Sequence, residues 1–186
     1  MSEARIRYAC ITSPGMELGI AFSYLKAIDD TGLGVRIMPV GLALFDRLPW
    51  SEMPHVFTAP ISKSFINVVC VPLGVTLGAP ASAEQFALPD ADRDLAIAGE
   101  GPGEGSYKPE TAIKGLHTDN VFNVVIVDGV GVAPLDLAER VALCRYDRVI
   151  CPTPEGTTAL CRQGVPAATI PPESDKLAKL FADFLV

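Results

Sequence analysis

The chain has 186 residues, which is enough for one domain with a substantial core and too short for two full domains. Hydrophobic residues make up 49% and charged residues only 20%, a composition that excludes intrinsic disorder. The formal net charge is -7 and the basic residues form no stripe along the chain, so we expect no binding to nucleic acid.

The five cysteines are odd in number and form no CxxC pair, which predicts reduced thiols that mostly fill the core. The N-terminal residues lead directly into a strand-like run, and no run reaches the ~20 apolar residues of a spanning helix. We therefore expect a cytoplasmic protein without a membrane span. The two histidines, His55 and His117, have no ligand-spaced partners, so we expect no metal site, and no motif indicates a cofactor.

Short apolar runs rich in β-branched residues alternate along the chain with segments of helical spacing. The runs at 68–71 and 124–127 are apolar at every position, which is typical of strands covered on both faces of a parallel sheet. The sequence therefore predicts an α/β fold with a single doubly wound, mostly parallel, Rossmann-like sheet. The predicted strands are residues 6–12, 35–40, 55–59, 66–71, 123–127, 148–152 and 167–170.

Four helices are predicted, at residues 18–28, 134–144, 155–162 and 174–186. Gly32 ends the first helix, and Pro134 is expected in the first turn of the second. Ser174 is the predicted cap of the last helix, whose broad apolar stripe predicts packing against the sheet. Residues 74–109 are crowded with Gly, Pro and Ala and predict a long loop within a single domain of residues 1–186.

The loop between the first strand and the first helix is the first candidate site. It reads Thr12-Ser13-Pro14-Gly15-Met16-Glu17-Leu18-Gly19 and occupies the position where doubly wound folds bind ligands. Its glycine spacing matches neither the dinucleotide nor the P-loop fingerprint. Pro14 removes an amide donor and Glu17 repels phosphate, so a neutral ligand such as a sugar fits better. The alternative is that the glycines only form a tight turn.

Several other polar groups have both a chemical and a structural interpretation. His117 with Asp119 could be a base and its orienting carboxylate, but without a nucleophile motif we favour a helix end followed by a turn. For Glu100 with Glu104 we favour solvated loop residues over paired catalytic carboxylates, and for Thr157 with Thr158 we favour helix capping over a place in the ligand crevice. Ser62-Lys63-Ser64 is explained equally well by the Ser/Lys pairing of some hydrolases and by a loop before a strand.

A longer pattern lies in the second half of the chain. The strand Tyr146-Asp147-Arg148-Val149-Ile150-Cys151-Pro152-Thr153 precedes a short helix, then Gly164-Val165 and a strand ending in Ile170-Pro171. This pattern resembles the end of the N-terminal, acceptor-side half of GT-B glycosyltransferases that use nucleotide sugars. The glycine-bearing first loop matches the acceptor-side loop of those enzymes in position, and the resemblance spans roughly residues 5–172.

The resemblance implies a ligand pocket at the carboxyl ends of the strands and leaves the catalytic residues unknown. Its expected residues are Ser13, Gly15, Met16, Glu17, Asp128 and Thr153. In the GT-B enzymes a second half carries the donor site, and we expect none here. The resemblance therefore implies a non-catalytic or partner-dependent binding or assembly domain; the alternative is a glycosyltransferase whose site another subunit completes.

The expected partners are a small polar ligand or nucleotide sugar, and another protein chain, including a second copy in a homo-oligomer. The high hydrophobic content supports a protein partner, because it exceeds what a monomer of this size needs to bury. The Pro-flanked segment with Leu48, Trp50 and Met53 is the expected contact.

Overall fold

The computed structural model describes residues 3–11, 19–40, 50–56, 61–71, 116–128 and 134–185. These residues form strands β1 (Ala4–Ile11), β2 (Val35–Val40), β3 (Ile61–Val71), β4 (Phe122–Val127), β5 (Arg148–Cys151) and β6 (Ala168–Thr169). They also form helices α1 (Gly19–Asp29), α2 (Leu137–Cys144), α3 (Pro154–Arg162) and α4 (Asp175–Ala182), and a short 3₁₀ turn at Trp50–Glu52. The predicted 74–109 loop lies outside the described residues.

The strands form one sheet in the order β2-β1-β3-β4-β5-β6, and every pairing in it is parallel. Val56 adds an isolated parallel bridge to Val35 of β2, whose other neighbour is Ile6 of β1. Of the predicted 55–59 strand, only this bridge falls among the described residues. A third strand outside β2 is the arrangement of the Rossmann fold.

Helices cover both faces of the sheet, which confirms the predicted doubly wound α/β fold. On one face, buried residues of β1, β3 and β4 pack with α1 and with Leu177 and Phe181 of α4. On the other face, Val69 and Val125 pack with Leu143 of α2 and Leu160 of α3. The runs at 68–71 and 124–127 are buried throughout, as both-face coverage requires.

Two buried tyrosines hold α1 in place. The Tyr8 hydroxyl on β1 donates to the Ala21 carbonyl at 2.7 Å, and the Tyr24 hydroxyl on α1 donates to the Ile170 carbonyl at 2.5 Å. Each buried hydroxyl therefore donates a hydrogen bond, which offsets most of the free-energy cost of removing it from water.

The helix ends follow local sequence signals, with two corrections. Gly32 has a φ of 72°, as the predicted glycine stop requires. Pro134 lies before α2 and not in its first turn, because Asp136 and Glu139 form a capping box that starts the helix at Leu137. Ser174 occupies the N-cap position of α4, but its side chain makes no capping hydrogen bond. That helix ends at Ala182, short of the predicted 186.

Two predictions about the core also need correction. Cys10, Cys70 and Cys151 are buried, but Cys144 and Cys161 are exposed because they lie on the solvent sides of α2 and α3. Met53 belongs to the core, where it is 2% exposed, so it is not part of an open contact surface.

Candidate functional site

The strand order changes direction at β1. From β1 the chain moves to β2 on one side and then returns to β3 on the other side. In open parallel sheets, ligands bind at such a switch point, outside the carboxyl ends of the two diverging strands. We call the ends of the strands and the residues directly after them the carboxyl edge. The switch point on this edge lies above Ile11 and Val71, the last residues of β1 and β3.

Asp128 lies on the carboxyl edge beside the switch point. It directly follows β4, and its backbone N–H donates to the Val71 carbonyl at 2.9 Å. Its carboxylate has no hydrogen-bond or ion-pair partner among the residues that the structure describes. Burial raises the pKa of Tyr24, and the nearby Cys70, Cys151 and Asp128 raise it further. Asp128 itself is half-buried.

Thr153 lies on the same edge, after β5. It is the N-cap of α3, and its hydroxyl accepts a hydrogen bond from the Gly156 N–H at 3.2 Å. The Thr157 hydroxyl lies 2.7 Å from the Thr169 hydroxyl of β6 and donates to the Thr153 carbonyl at 3.1 Å. Thr158 donates to the Pro154 carbonyl at 2.8 Å. Thr153 caps the helix, whereas Thr157 and Thr158 donate to carbonyls four residues earlier, so the prediction that these two are capping residues is wrong. Thr153, Thr157 and Thr169 form a row of hydroxyls between β5 and β6.

Cys151 lies beneath this row of hydroxyls. Burial raises the pKa of its thiol to about 11, although a hydrogen bond with Thr157 lowers it in part. A thiol that keeps its proton at neutral pH is a poor nucleophile, so we assign Cys151 to packing.

The other predicted pocket residues, Ser13, Gly15, Met16 and Glu17, lie outside the described residues, as do Glu100 and Glu104. Their part in the pocket remains a prediction, drawn from the position of the first loop after β1. The structure thus supplies two members of the predicted set, Asp128 and Thr153, on one edge of the sheet.

Two remaining candidates lie away from the carboxyl edge. His117 and Asp119 precede β4, with His117 Nδ1 3.7 Å from Asp119 Oδ1. Leu116 is helical and Asp119 begins a turn, which agrees with the predicted helix end. Residues 62–64 belong to β3, which starts at Ile61, so the prediction of a loop before a strand is wrong. Strand β3 is therefore longer than its apolar run. Its first residue, Ile61, pairs with Ala4 of β1, and the register then shifts so that Ile66 pairs with Ile6.

An open groove of about 380 Å³ follows the outer side of α3 and is lined by Pro154, Glu155, Thr158, Ala159 and Arg162. These residues lie along one exposed face of a single helix. None of them is buried, so the groove offers no enclosed polar group to orient a ligand. We therefore place the candidate site at the switch point and not in this groove.

The sequence analysis missed a buried polar row formed by Arg7, Asn67 and Asn123, which are register partners on β1, β3 and β4. Arg7 Nε donates to Asn67 Oδ1 at 2.8 Å, and Asn67 Nδ2 donates to Asn123 Oδ1 at 2.7 Å. Arg7 Nη2 also donates to the Leu116 carbonyl at 2.9 Å and to the Thr118 hydroxyl. A signal for it exists, because an Asn-Val-Val sequence occurs in both β3 and β4.

No protein-family model, curated protein or solved structure matches this chain. Among the described residues, no group of three or more His, Cys, Asp or Glu side chains is placed to hold a metal ion. Within the same residues, no helix has the length and apolar character needed to cross a membrane.

Proposed function

We propose that this chain is a binding domain, similar to the acceptor half of a GT-B glycosyltransferase, that holds a small polar ligand at the carboxyl edge. The observation that carries the proposal is the switch point between β1 and β3, with Asp128 anchored beside it through the Val71 carbonyl. Fold analogy alone does not assign a site. The Asp128 carboxylate, which has no partner within the part of the chain that the structure describes, adds a group that a ligand can use.

The groups on this edge favour a neutral ligand that carries hydroxyls. A carboxylate accepts hydrogen bonds from sugar hydroxyls, and the nearby threonine hydroxyls both donate and accept. A net charge of -7 and the Glu17 side chain in the predicted pocket both disfavour a phosphate. A sugar or a nucleoside therefore fits this site better than a diphosphate does.

The assembly part of the proposal rests on helix α2. Its Leu137 and Val141 side chains are 69% and 55% exposed, although both are apolar and lie one turn apart. We infer that the chain forms an oligomer or joins another protein through such surfaces. We also infer a cytoplasmic location, which the five free cysteines support.

The test is a thermal-shift titration with neutral monosaccharides, nucleosides, free nucleotides and nucleotide sugars. A ligand at about 100 times its Kd stabilises the folded state by ~2.7 kcal/mol, which raises the Tm by roughly 5–10 °C for a chain of this size. We expect a neutral ligand to give this rise. We expect Asp128→Ala to weaken it at least tenfold in apparent Kd.

The matched control is Asp119→Ala, which removes an exposed carboxylate before β4, at the opposite end of the strand. It should leave the titration unchanged, and equal losses in both variants would contradict the site. A rise with nucleotide sugars alone, together with sugar transfer or hydrolysis by an oligomer, would favour the alternative of a glycosyltransferase completed by another subunit. If none of the four ligand classes raises the Tm, the ligand-binding part of the proposal is rejected and only the assembly part remains.

A further inference from the structure

Two cysteines face each other beneath the switch point. Cys10 is the next-to-last residue of β1 and Cys70 is the next-to-last residue of β3, and the two are register partners in neighbouring strands. Both side chains are 0% exposed and belong to the same core cluster. Their thiols are also joined by a hydrogen bond. The sequence distance between them gives no sign of this contact.

The spacing of parallel strands suits a covalent bond between these two residues. Neighbouring strands lie ~4.7–4.9 Å apart, and disulfide-bonded residues have Cα atoms ~4.4–6.8 Å apart. Register partners such as Cys10 and Cys70 therefore lie within the range of Cα separations that a disulfide spans. Cys151 is excluded as a partner because it packs on the other face of the sheet.

We propose that Cys10 and Cys70 form a redox-active dithiol, which closes to a disulfide in the presence of a peroxide. One thiolate attacks a peroxide oxygen, the O–O bond breaks, and a sulfenic acid and water form. The second thiol then attacks that sulfur, the S–O bond breaks, and a second water leaves. Two thiols thus lose two electrons and two protons, and hydrogen peroxide is reduced to two waters. This proposal is independent of the proposed function.

The reaction is slow in the closed fold. Its first step needs a thiolate, and the hydrogen bond with Cys70 together with burial raises the pKa of Cys10. We therefore expect oxidation to depend on opening of the strand ends at the carboxyl edge. Once formed, the bond would join the two strands that diverge at the switch point and would stabilise the folded state.

The experiment starts from a variant in which Cys144→Ser and Cys161→Ser remove the two exposed thiols. Hydrogen peroxide is added at neutral pH, and free thiols are then counted after denaturation. We expect three thiols before oxidation and one afterwards, with an intact mass lower by two hydrogen atoms. Peptide mapping should find Cys10 linked to Cys70. The Tm should rise by roughly 5–10 °C and return to its starting value with dithiothreitol.

Two further variants in this background serve as controls. Cys151→Ala should still form the bond, whereas Cys70→Ala should keep both of its remaining thiols unlinked. The proposal is overturned if all three thiols survive prolonged exposure to hydrogen peroxide, continued well beyond the time in which the exposed thiols of the unmodified chain are oxidised. It is also overturned if the peptide map links Cys151. Both of these outcomes are measured on the starting variant, so the test does not depend on whether Cys70→Ala folds.

Discussion

The polar row and the carboxyl edge lie at opposite ends of the central strands and use their polar groups differently. In the row, the side chains of Arg7, Asn67 and Asn123 bond to one another and to the Leu116 carbonyl. On the carboxyl edge, the Asp128 carboxylate has no partner among the described residues. Both regions contain charge near the core, but only the row satisfies it within the fold.

Polar groups that are hydrogen-bonded within the fold have a structural role, whereas polar groups without such partners are candidates for ligand binding. A buried guanidinium is tolerated only where several acceptors surround it. Arg7 has the Asn67 side-chain oxygen, the Leu116 carbonyl and the Thr118 hydroxyl. The Asp128 carboxylate has no such partner among the described residues, so we look for its role in ligand binding. The comparison therefore points to the carboxyl edge for function and to the row for stability.

The largest expected effect comes from breaking the row. Arg7→Met keeps the apolar length of the side chain but leaves Asn67 Oδ1 and the Leu116 carbonyl short of donors in the core. We expect the free energy of unfolding to fall by about 3 kcal/mol, as measured by urea denaturation. The exposed Arg162→Met is the control and should change stability by less than about 0.5 kcal/mol. Similar values for the two variants would show that the row is not structural.

A second prediction compares two aspartates at opposite ends of β4. Asp147 Oδ2 accepts a hydrogen bond from the Asn123 N–H at 2.7 Å, next to the row. Asp147→Ala leaves that amide without an acceptor and should cost about 1–2 kcal/mol in urea denaturation. Asp128→Ala removes no hydrogen bond among the described residues and should cost less than about 0.5 kcal/mol. If Asp128→Ala is the more destabilising change, the Asp128 carboxylate belongs to the fold and not to a ligand site.

Most of the fold could be predicted from the sequence. Strands that are covered by helices on both faces of the sheet are apolar at nearly every position, and such runs are easy to recognise. The runs at 68–71 and 124–127 are continuous and apolar, and they became the central strands β3 and β4. The polar row was not predicted because each strand contains only one of its residues. A single buried polar side chain without a visible partner is unfavourable, so nothing in one strand alone indicates the row. Only the register, which pairs Arg7 with Asn67 and Asn67 with Asn123, shows that they satisfy one another.

The candidate site could be predicted only in part. Asp128 and Thr153 follow strands directly, so their place on the carboxyl edge is a consequence of the strand pattern. Ser13, Gly15, Met16 and Glu17 lie outside the described residues, so their place in the pocket stays a prediction. Pro134 was misassigned because the capping box at Asp136 and Glu139, which is visible in the sequence, is a stronger start signal than a proline.

A third prediction compares two helix N-caps, those of α2 and α4. The Asp136 side chain accepts a hydrogen bond from the Glu139 N–H at 2.8 Å, whereas the Ser174 hydroxyl is buried without a partner among the described residues. Asp136→Ala should lower the free energy of unfolding by about 1 kcal/mol. Ser174→Ala should change it by less than about 0.5 kcal/mol, because it removes a polar atom that makes no hydrogen bond. Equal losses in urea denaturation would mean that Ser174 caps its helix after all.

The last prediction concerns the pH dependence of stability. Cys151 keeps its proton to about pH 11 in the folded state, against an ordinary pKa of 9.0. Between these values the unfolded chain has lost the proton while the folded chain still binds it, so the free energy of unfolding falls as the pH rises.

Cys151→Ala removes this contribution and should make the decline from pH 9 to pH 11 shallower in urea titrations. Cys144→Ala, which removes an exposed thiol with no part in the raised pKa of Cys151, should decline as steeply as the unmodified chain. An unchanged slope in Cys151→Ala would mean that the Cys151 thiol titrates at the same pH in the folded and unfolded chains, and that the carboxyl edge above it is open to water.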